Sequence, residues 1–290
     1  MAIYTDQTRA LITSEFKKAL SNPWFVICVG VACTFAIAQA ATVIPQALEQ
    51  MPTKIYARYT ILTPYSCFCQ WLPVKQSSIS EVFFLTMPLL ATIPYSRSLF
   101  LENKAGYCNQ IYIRIPRKMY LGTKLFVSFC TGALIGIIPL VLNMIILACF
   151  LPAYLPEIYE VLYIGINSEN YFSFLFYTYP ILYVTAYTLL SGLIYGVWAT
   201  FIQSLALVAT NQIVLVAFPF VSMYLLNFIA RRVYLFMGGI KGMGLSILNV
   251  PYSAGPFDQC PPLLFISLLG FFIVLTALNT FFMSKGDVLQ

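Results

Sequence analysis

The chain has 290 residues, of which 60% are hydrophobic and only 9% are charged. Soluble domains carry about 25% charged residues, so this chain lacks the polar surface that a soluble fold of its length needs. The composition predicts an all-α polytopic membrane protein, organised as a single transmembrane domain over residues 1–290. The net charge is +6, and no histidine is present, which excludes a histidine-containing catalytic triad or metal site.

The first segment is basic and amphipathic. In residues 8–22, Ile12, Phe16 and Leu20 form an apolar stripe at helical spacing. Three charged residues lie off that stripe: Glu15, Lys17 and Lys18. The pattern predicts a helix lying in the membrane interface, and a disordered basic tail is the alternative. The apolar run that begins at Pro23 is too long for a signal peptide core, so we expect no cleavage.

Six stretches are long and apolar enough to be transmembrane helices. They cover residues 24–44, 79–96, 125–150, 174–203, 205–229 and 262–283. Four of them contain an internal proline that should bend the helix. These prolines are Pro88, Pro139, Pro180 and Pro219.

The distribution of basic residues predicts the orientation. With the N-terminus inside, the inner segments hold ten basic and four acidic residues, whereas the outer segments hold six of each. By the positive-inside rule, both termini lie in the cytoplasm. The expected location is the cytoplasmic membrane of a bacterial cell.

The inner segment between spans two and three, residues 97–124, is too polar to span and too apolar for an ordinary loop. An interfacial helix followed by a turn at Pro116 fits this composition best. The outer segments are longer. Residues 45–78 contain four prolines, which argue against a long helix, and residues 231–261 mix an arginine pair with apolar and glycine-rich runs. The latter pattern predicts a re-entrant segment of short helices before span six.

Three of the eight cysteines fall in outer segments: Cys67, Cys69 and Cys260. A disulfide from Cys260 to Cys67 or Cys69 is one interpretation. Small buried hydrophobic residues in covered loops are the other.

Absent motifs narrow the function. The chain has no GxxxxGK[ST] phosphate loop and no Asp, Glu, Lys, Arg or His in the middle of a predicted span. The chain therefore lacks the residues that a nucleotide-hydrolysing motor and a proton-coupled transporter usually need. Four neutral polar residues are candidates for a substrate path: Gln39, Asn143, Asn211 and Gln212. Such side chains more often form hydrogen bonds between neighbouring helices. Two GxxxG pairs, Gly132 with Gly136 and Gly192 with Gly196, allow close helix contact.

Six spans, an amphipathic N-terminal helix and a basic segment between spans two and three together resemble the membrane subunits of type-2 ABC transporters. Five residues carry the closest match, in the order that this family shows between its spans two and three: Glu102, Gly106, Arg117, Tyr120 and Lys124.

This resemblance implies a permease that works as a dimer with a second copy or a homologue, with cytoplasmic ATPase subunits binding ATP and Mg²⁺. The permease would need no cofactor of its own and would not be an enzyme by itself. It also implies an interfacial helix at 8–22 and a coupling helix at 102–115. The expected ATPase-coupling residues are Glu102, Asn103, Lys104, Gly106, Tyr107, Arg114, Arg117 and Lys118. Glu102 is expected near the start of that helix, where it pairs with an ATPase residue or caps the helix.

The expected function is therefore export of a hydrophobic or amphipathic cargo, such as a peptide, lipid or drug. A secondary transporter or channel without an ATPase is the alternative, and it predicts internal repeats or charged broken helices, of which we find neither. A non-transport membrane protein, such as an assembly factor or an intramembrane enzyme, is a third interpretation. No set of catalytic residues in the sequence supports it.

Overall fold

The computed structural model describes residues 2–50, 65–113, 115–156, 166, 170–207, 211–236, 247–254 and 262–285. Over these residues the fold consists of α-helices joined by turns, without a β-strand. An all-helical fold is thus confirmed. Arg114 and Cys260 lie outside the described residues, so the predicted disulfide stays untested.

Ten α-helices cover most of the described chain. They are α1 (Ala2–Leu20), α2 (Pro23–Gln50), α3 (Ser78–Thr92), α4 (Ser98–Lys104), α5 (Tyr107–Tyr112), α6 (Arg117–Phe150), α7 (Ser173–Thr178), α8 (Pro180–Leu205), α9 (Gln212–Phe236) and α10 (Pro262–Lys285). A 3₁₀ turn at Ile247–Asn249 follows α9 in the described chain.

Four helices are long and apolar enough to cross a membrane: Pro23–Glu49, Arg117–Phe150, Pro180–Leu205 and Pro262–Phe281. They correspond to predicted spans one, three, four and six. The other two predicted spans fall on α3, which has 15 residues, and on α9, in which the apolar core Ala217–Leu226 is short. The length and apolar composition of these four helices identify the chain as a membrane protein.

The local boundaries differ from the predictions at two prolines. Pro180 does not bend a span: it is the first residue of α8, after a break at Tyr179 that ends α7. A proline suits that position because its missing N–H has no partner in the first helical turn. Pro45, expected in a loop, lies inside α2, which continues to Gln50. Pro88, Pro139 and Pro219 do lie inside helices.

The centre of the fold is the antiparallel pair α6–α8, which share the most extensive contact of any two described helices. Both predicted glycine pairs face this contact. A Cβ atom added at Gly132 would lie 2.6 Å from the Ala199 Cβ and 2.8 Å from the Tyr195 carbonyl oxygen. At Gly196 it would lie 2.7 Å from the Phe129 ring. Only glycine permits this spacing, as in other close helix pairs in membranes.

Two turn segments that were predicted as outer loops are packed inside the fold. In the first, residues 65–77, Trp71 and Leu72 are fully buried. In the second, residues 247–254, the Tyr252 ring stacks on Phe84 with centroids 4.7 Å apart. The two segments also bond to each other, since the Ala254 N–H donates to the Pro73 carbonyl at 3.1 Å. These residues fill one end of the helix bundle.

Candidate functional site: a buried charge cluster and an exposed helical surface

Helix α1 presents a different face to the protein from the one that its apolar stripe predicts. Glu15 and Ala19 are buried, whereas Leu20, which was assigned to the apolar stripe, is 43% exposed. Glu15 was placed on the polar face, and that assignment is wrong. A carboxylate can occupy a buried face only when charged or hydrogen-bonding partners compensate for the lost water. The partners come from distant parts of the chain.

Lys124 supplies the compensating charge. It is the eighth residue of α6, in the third helical turn, and is 0% exposed. Its Nζ atom is 2.6 Å from a Glu15 carboxylate oxygen and 2.8 Å from a Glu102 carboxylate oxygen. The ammonium also lies 5.1 Å from the ring centroid of Tyr95 and 5.5 Å from that of Tyr120. One lysine thus connects α1, α4 and α6.

The hydroxyls of the two tyrosines complete the coordination of the carboxylates. The Tyr95 hydroxyl donates to Glu15 at 2.6 Å, and the Tyr120 hydroxyl donates to Glu102. The phenol is the donor in each bond, because an ionised carboxylate only accepts. We call these residues, together with Lys18, the Lys124 cluster.

Lys18 makes the cluster electrically neutral. Its ammonium pairs with Glu102 at the edge of the cluster, so two carboxylates face two ammonium groups. Burial alone would raise the pKa of Glu102, but the charge and hydrogen bonds of Lys124, with those of Lys18 and Tyr120, outweigh burial and lower it. For Lys18, burial would lower the pKa, and the hydrogen bond and charge of Glu102 outweigh that and raise it. Both groups are therefore charged at neutral pH.

The predicted coupling helix at 102–115 is interrupted. Instead of one helix, α4 and α5 are separated at Gly106, which adopts the left-handed conformation with φ 72°. Glycine adopts this conformation without steric cost, so it turns the chain here. Glu102 is the fifth of seven residues in α4, not near a helix start, and its carboxylate is turned into the protein.

The opposite side of α4 and α5 faces outward and mixes apolar with polar side chains. We define this α4–α5 surface by Leu101 and Tyr107, each 46% exposed, Ile113, 86% exposed, and the exposed residues Asn103 and Lys104. The buried side of the same helices packs through Leu99, Phe100 and Cys108. Apolar side chains on the exposed side of such a polar segment are typical of a surface that contacts another protein or the membrane interface.

The remaining predicted coupling residues lie next to this surface or away from it. The Arg117 guanidinium stacks on the Tyr112 ring at 5.3 Å. Lys118 is exposed, and it lines a groove between α6 and α10 instead of the α4–α5 surface.

At the other end of α6, two of the candidate substrate-path residues bond to each other. The Asn143 Nδ2 atom donates to the Gln39 side-chain oxygen at 2.8 Å and to the Ala36 carbonyl at 2.9 Å. The Asn143 side-chain oxygen accepts from the Leu72 N–H at 3.0 Å, and Gln39 donates to the Gln70 carbonyl at 3.0 Å. Both amides are 0% exposed. In this conformation they hold the 65–77 segment against α2 and α6.

The other two path candidates lie near the start of α9. Asn211 is exposed and precedes the helix, and Gln212 is its first residue, with a side chain outside the described residues. Within the part of the chain that the structure describes, no three potential metal-ligating side chains come together.

Sequence patterns missed three members of the Lys124 cluster. Glu15 and Lys18 were assigned to a solvated helix face, and Tyr95 was not singled out. The one available signal was the spacing of Glu15 and Lys18, which share a helix face at i and i+3. Their partners are 80 to 109 residues away, so no local pattern identifies them.

Comparisons with known proteins identify no relative of this chain. No family model, no curated protein and no solved structure matches it.

Proposed function

We propose that this chain is the membrane permease subunit of an ATP-driven exporter of the type-2 ABC class, working as a dimer with separate cytoplasmic ATPase subunits. The observation that carries the proposal is the α4–α5 surface, which is exposed on one side and fastened to α6 through Glu102 and Lys124 on the other. A force applied to α4 would pass directly into a long helix of the bundle.

The geometry of α6 supports this transmission. Its 34 residues make it about 50 Å long, whereas a bilayer hydrocarbon core is about 30 Å thick. Lys124 and Asn143 are about 28 Å apart along the axis, and the residues between them are uncharged. The charge cluster and the amide pair therefore match the two boundaries of the hydrocarbon core, with α4 and α5 just outside it.

A six-span arrangement is part of the proposal. Helix α3 starts beside Lys75, whose carbonyl accepts from the Ser80 hydroxyl, and Tyr95 follows it at the Lys124 cluster. A helix of 15 residues covers about 22 Å, and the turns that flank it extend this distance. Helix α9 begins near the same cluster, because Leu215 packs with Leu99 and Tyr120. Counting α3 and α9 as spans places both termini on the side of the α4–α5 surface, as the distribution of basic residues predicts.

The cargo class rests on the composition. We propose a hydrophobic or amphipathic cargo because the helices present apolar, aromatic-rich surfaces to one another and to the membrane. A channel or secondary transporter is less consistent with a charge cluster that is neutralised internally and placed at a helix end.

The experiment is purification of the chain with and without a candidate ATPase, chosen as a stand-alone P-loop ATPase encoded next to it. Alone, the chain should hydrolyse no ATP, since it lacks a phosphate-binding loop. Together, the two proteins should co-purify, and hydrolysis should respond to apolar peptides, lipids or drugs.

The double variant Lys104→Glu with Tyr107→Ala should release the ATPase while leaving the chain folded, because Lys104 is exposed and Tyr107 is half exposed, with its ring 5.7 Å from the Lys18 ammonium at the edge of the cluster. Lys17→Glu, an exposed lysine on α1, is the matched control and should leave the complex intact. Hydrolysis by the chain after every other subunit is removed would contradict the proposal, as would a complex that ignores the double variant.

A further inference from the structure

A groove between the start of α6 and the end of α10 is not used by the proposed function. It has a volume of about 300 Å³ and is lined by Lys118, Leu121, Gly122, Leu125, Thr280 and Phe281. Both helices are long and apolar enough to cross a membrane, so the groove opens toward lipid. Helix α10 packs mainly on α8 and contacts α6 only weakly, which leaves the groove between them.

Among the groove residues that the structure describes, the cation is Lys118, at the end of the groove nearest the start of α6. Lys118 is the second residue of α6, and Leu121 and Leu125 follow at i+3 and i+7 on the same side of the helix. Leu125 is therefore about 10 Å further along the axis than Lys118. A polar head above an apolar track of that length is the arrangement that a phospholipid presents.

Within the part of the chain that the structure describes, Lys118 differs from Arg97, Arg117 and Lys124 in having no charged or aromatic partner. Arg97 stacks on Trp24 at 5.2 Å and Arg117 stacks on Tyr112 at 5.3 Å, whereas Lys124 is enclosed by carboxylates. Among the described residues, Lys118 forms no ion pair and no hydrogen bond, and its side chain is exposed at the groove. The charge complement of a lone ammonium at headgroup depth is an anionic phosphate.

We propose that this groove binds one anionic phospholipid, with the phosphate at Lys118 and the acyl chain beginning at Leu125 and Phe281, which are partly exposed. The Thr280 hydroxyl donates to the Thr276 carbonyl, so its oxygen accepts from a headgroup hydroxyl such as that of glycerol. A zwitterionic choline headgroup offers no such donor and brings a cation close to Lys118. The site therefore prefers phosphatidylglycerol to phosphatidylcholine.

Gly122 provides a steric test of the site. A Cβ atom added there would meet nothing within 4 Å, so a larger side chain can start from this position toward the groove. Gly30 on α2 is equally open and lies on a different helix, which makes Gly30→Leu the matched control for Gly122→Leu. Lys17 is the matched control for Lys118, because it is an exposed lysine on α1 and stands outside the groove.

The experiment titrates the full chain, purified in a neutral detergent, with phosphatidylglycerol or phosphatidylcholine of identical acyl chains, and counts bound lipids by native mass spectrometry. The first phosphatidylglycerol should bind about fivefold more tightly than phosphatidylcholine, as expected for one lysine at the membrane surface. Lys118→Gln should abolish this preference, and Lys118→Arg and Lys17→Gln should keep it. Gly122→Leu should weaken the binding of both lipids, and Gly30→Leu should leave the binding of both unchanged.

Three results would overturn the inference. Equal affinities of the unmodified chain for the two lipids would remove the charge selectivity. An equal loss in Lys17→Gln and Lys118→Gln would show a diffuse surface attraction. Displacement of phosphatidylglycerol by inorganic phosphate would show that Lys118 binds a free anion and not a lipid. Since the measurement uses the chain without any ATPase, its outcome is independent of the proposed transport function.

Discussion

The two ends of α6 are joined to their neighbouring segments by different kinds of interaction. At one end, Lys124 joins α1 and α4 to the bundle through two carboxylates. At the other end, Asn143 joins α2 and the 65–77 segment through neutral amide and backbone groups. Breaking a buried ion pair leaves an unpaired charge away from water. Breaking a hydrogen bond of a neutral amide leaves only an unpaired dipole. The charged end should therefore be more costly to disturb and more sensitive to pH.

The largest effect is expected for Lys124→Met. Removing the ammonium leaves Glu15 buried without its counter-charge, so the free energy of unfolding should fall by about 3–5 kcal/mol. Denaturant titration in detergent, followed by circular dichroism, measures this loss. Lys17→Met removes an exposed lysine and should change stability by less than about 0.5 kcal/mol. Equal effects of the two variants would contradict the role of Lys124.

The next largest effect is expected at the α6–α8 contact, which lies between the two ends of α6. Gly132→Ala places a methyl group against the Ala199 side chain and the Tyr195 carbonyl and should destabilise the protein by about 1–3 kcal/mol. Gly122→Ala is the matched control on the same helix, with open space around the new Cβ. It should stabilise α6 slightly, because alanine is the better helix former. The same denaturant titration separates the two, and a neutral Gly132→Ala would mean that α6 and α8 are further apart than described.

At the amide end, Asn143→Leu should cost about 1–2 kcal/mol, because the Leu72 N–H and the Gln39 side chain lose their partner. Thr34→Val, which removes an exposed hydroxyl bonded within its own helix, is the control and should be near neutral. If Asn143→Leu proved more costly than Lys124→Met, the contrast between the ends would be reversed.

The smallest effect is a pH dependence confined to the charged end. The folded pKa of Glu102 is below its ordinary value of 4.5, so its stabilising contribution is complete above that pH. It is then lost as pH falls below 4.5 toward the folded pKa. Unfolding measured between pH 7 and pH 3 should show this loss in Asn143→Leu as in the unmodified chain, and a weaker loss in Glu102→Gln. If Glu102→Gln and the unmodified chain lost stability identically as pH falls, Glu102 would not be the source of the pH dependence.

Sequence patterns predict the two ends unequally. The span that contains Asn143 is predicted by its apolar length, and Gly132 and Gly196 by their GxxxG spacing. The side on which Glu15 lies could not be predicted, since an apolar stripe assigns every charged residue to solvent. The break at Gly106 was also missed, because one glycine in a polar segment fits a helix and a turn equally well. Long-range partners decide the side on which Glu15 lies, and one sequence contains no record of them.

The most direct test of the proposed function compares the two ends as contact surfaces for an ATPase. A photo-crosslinking amino acid is placed at Asn103, on the α4–α5 surface, or at Tyr154, which is 41% exposed beyond the Asn143 end of α6. In membranes that contain the neighbouring P-loop ATPase, the Asn103 position should give a covalent adduct with the ATPase, and the Tyr154 position should give none. No adduct at Asn103, or an equal adduct at Tyr154, would contradict the account.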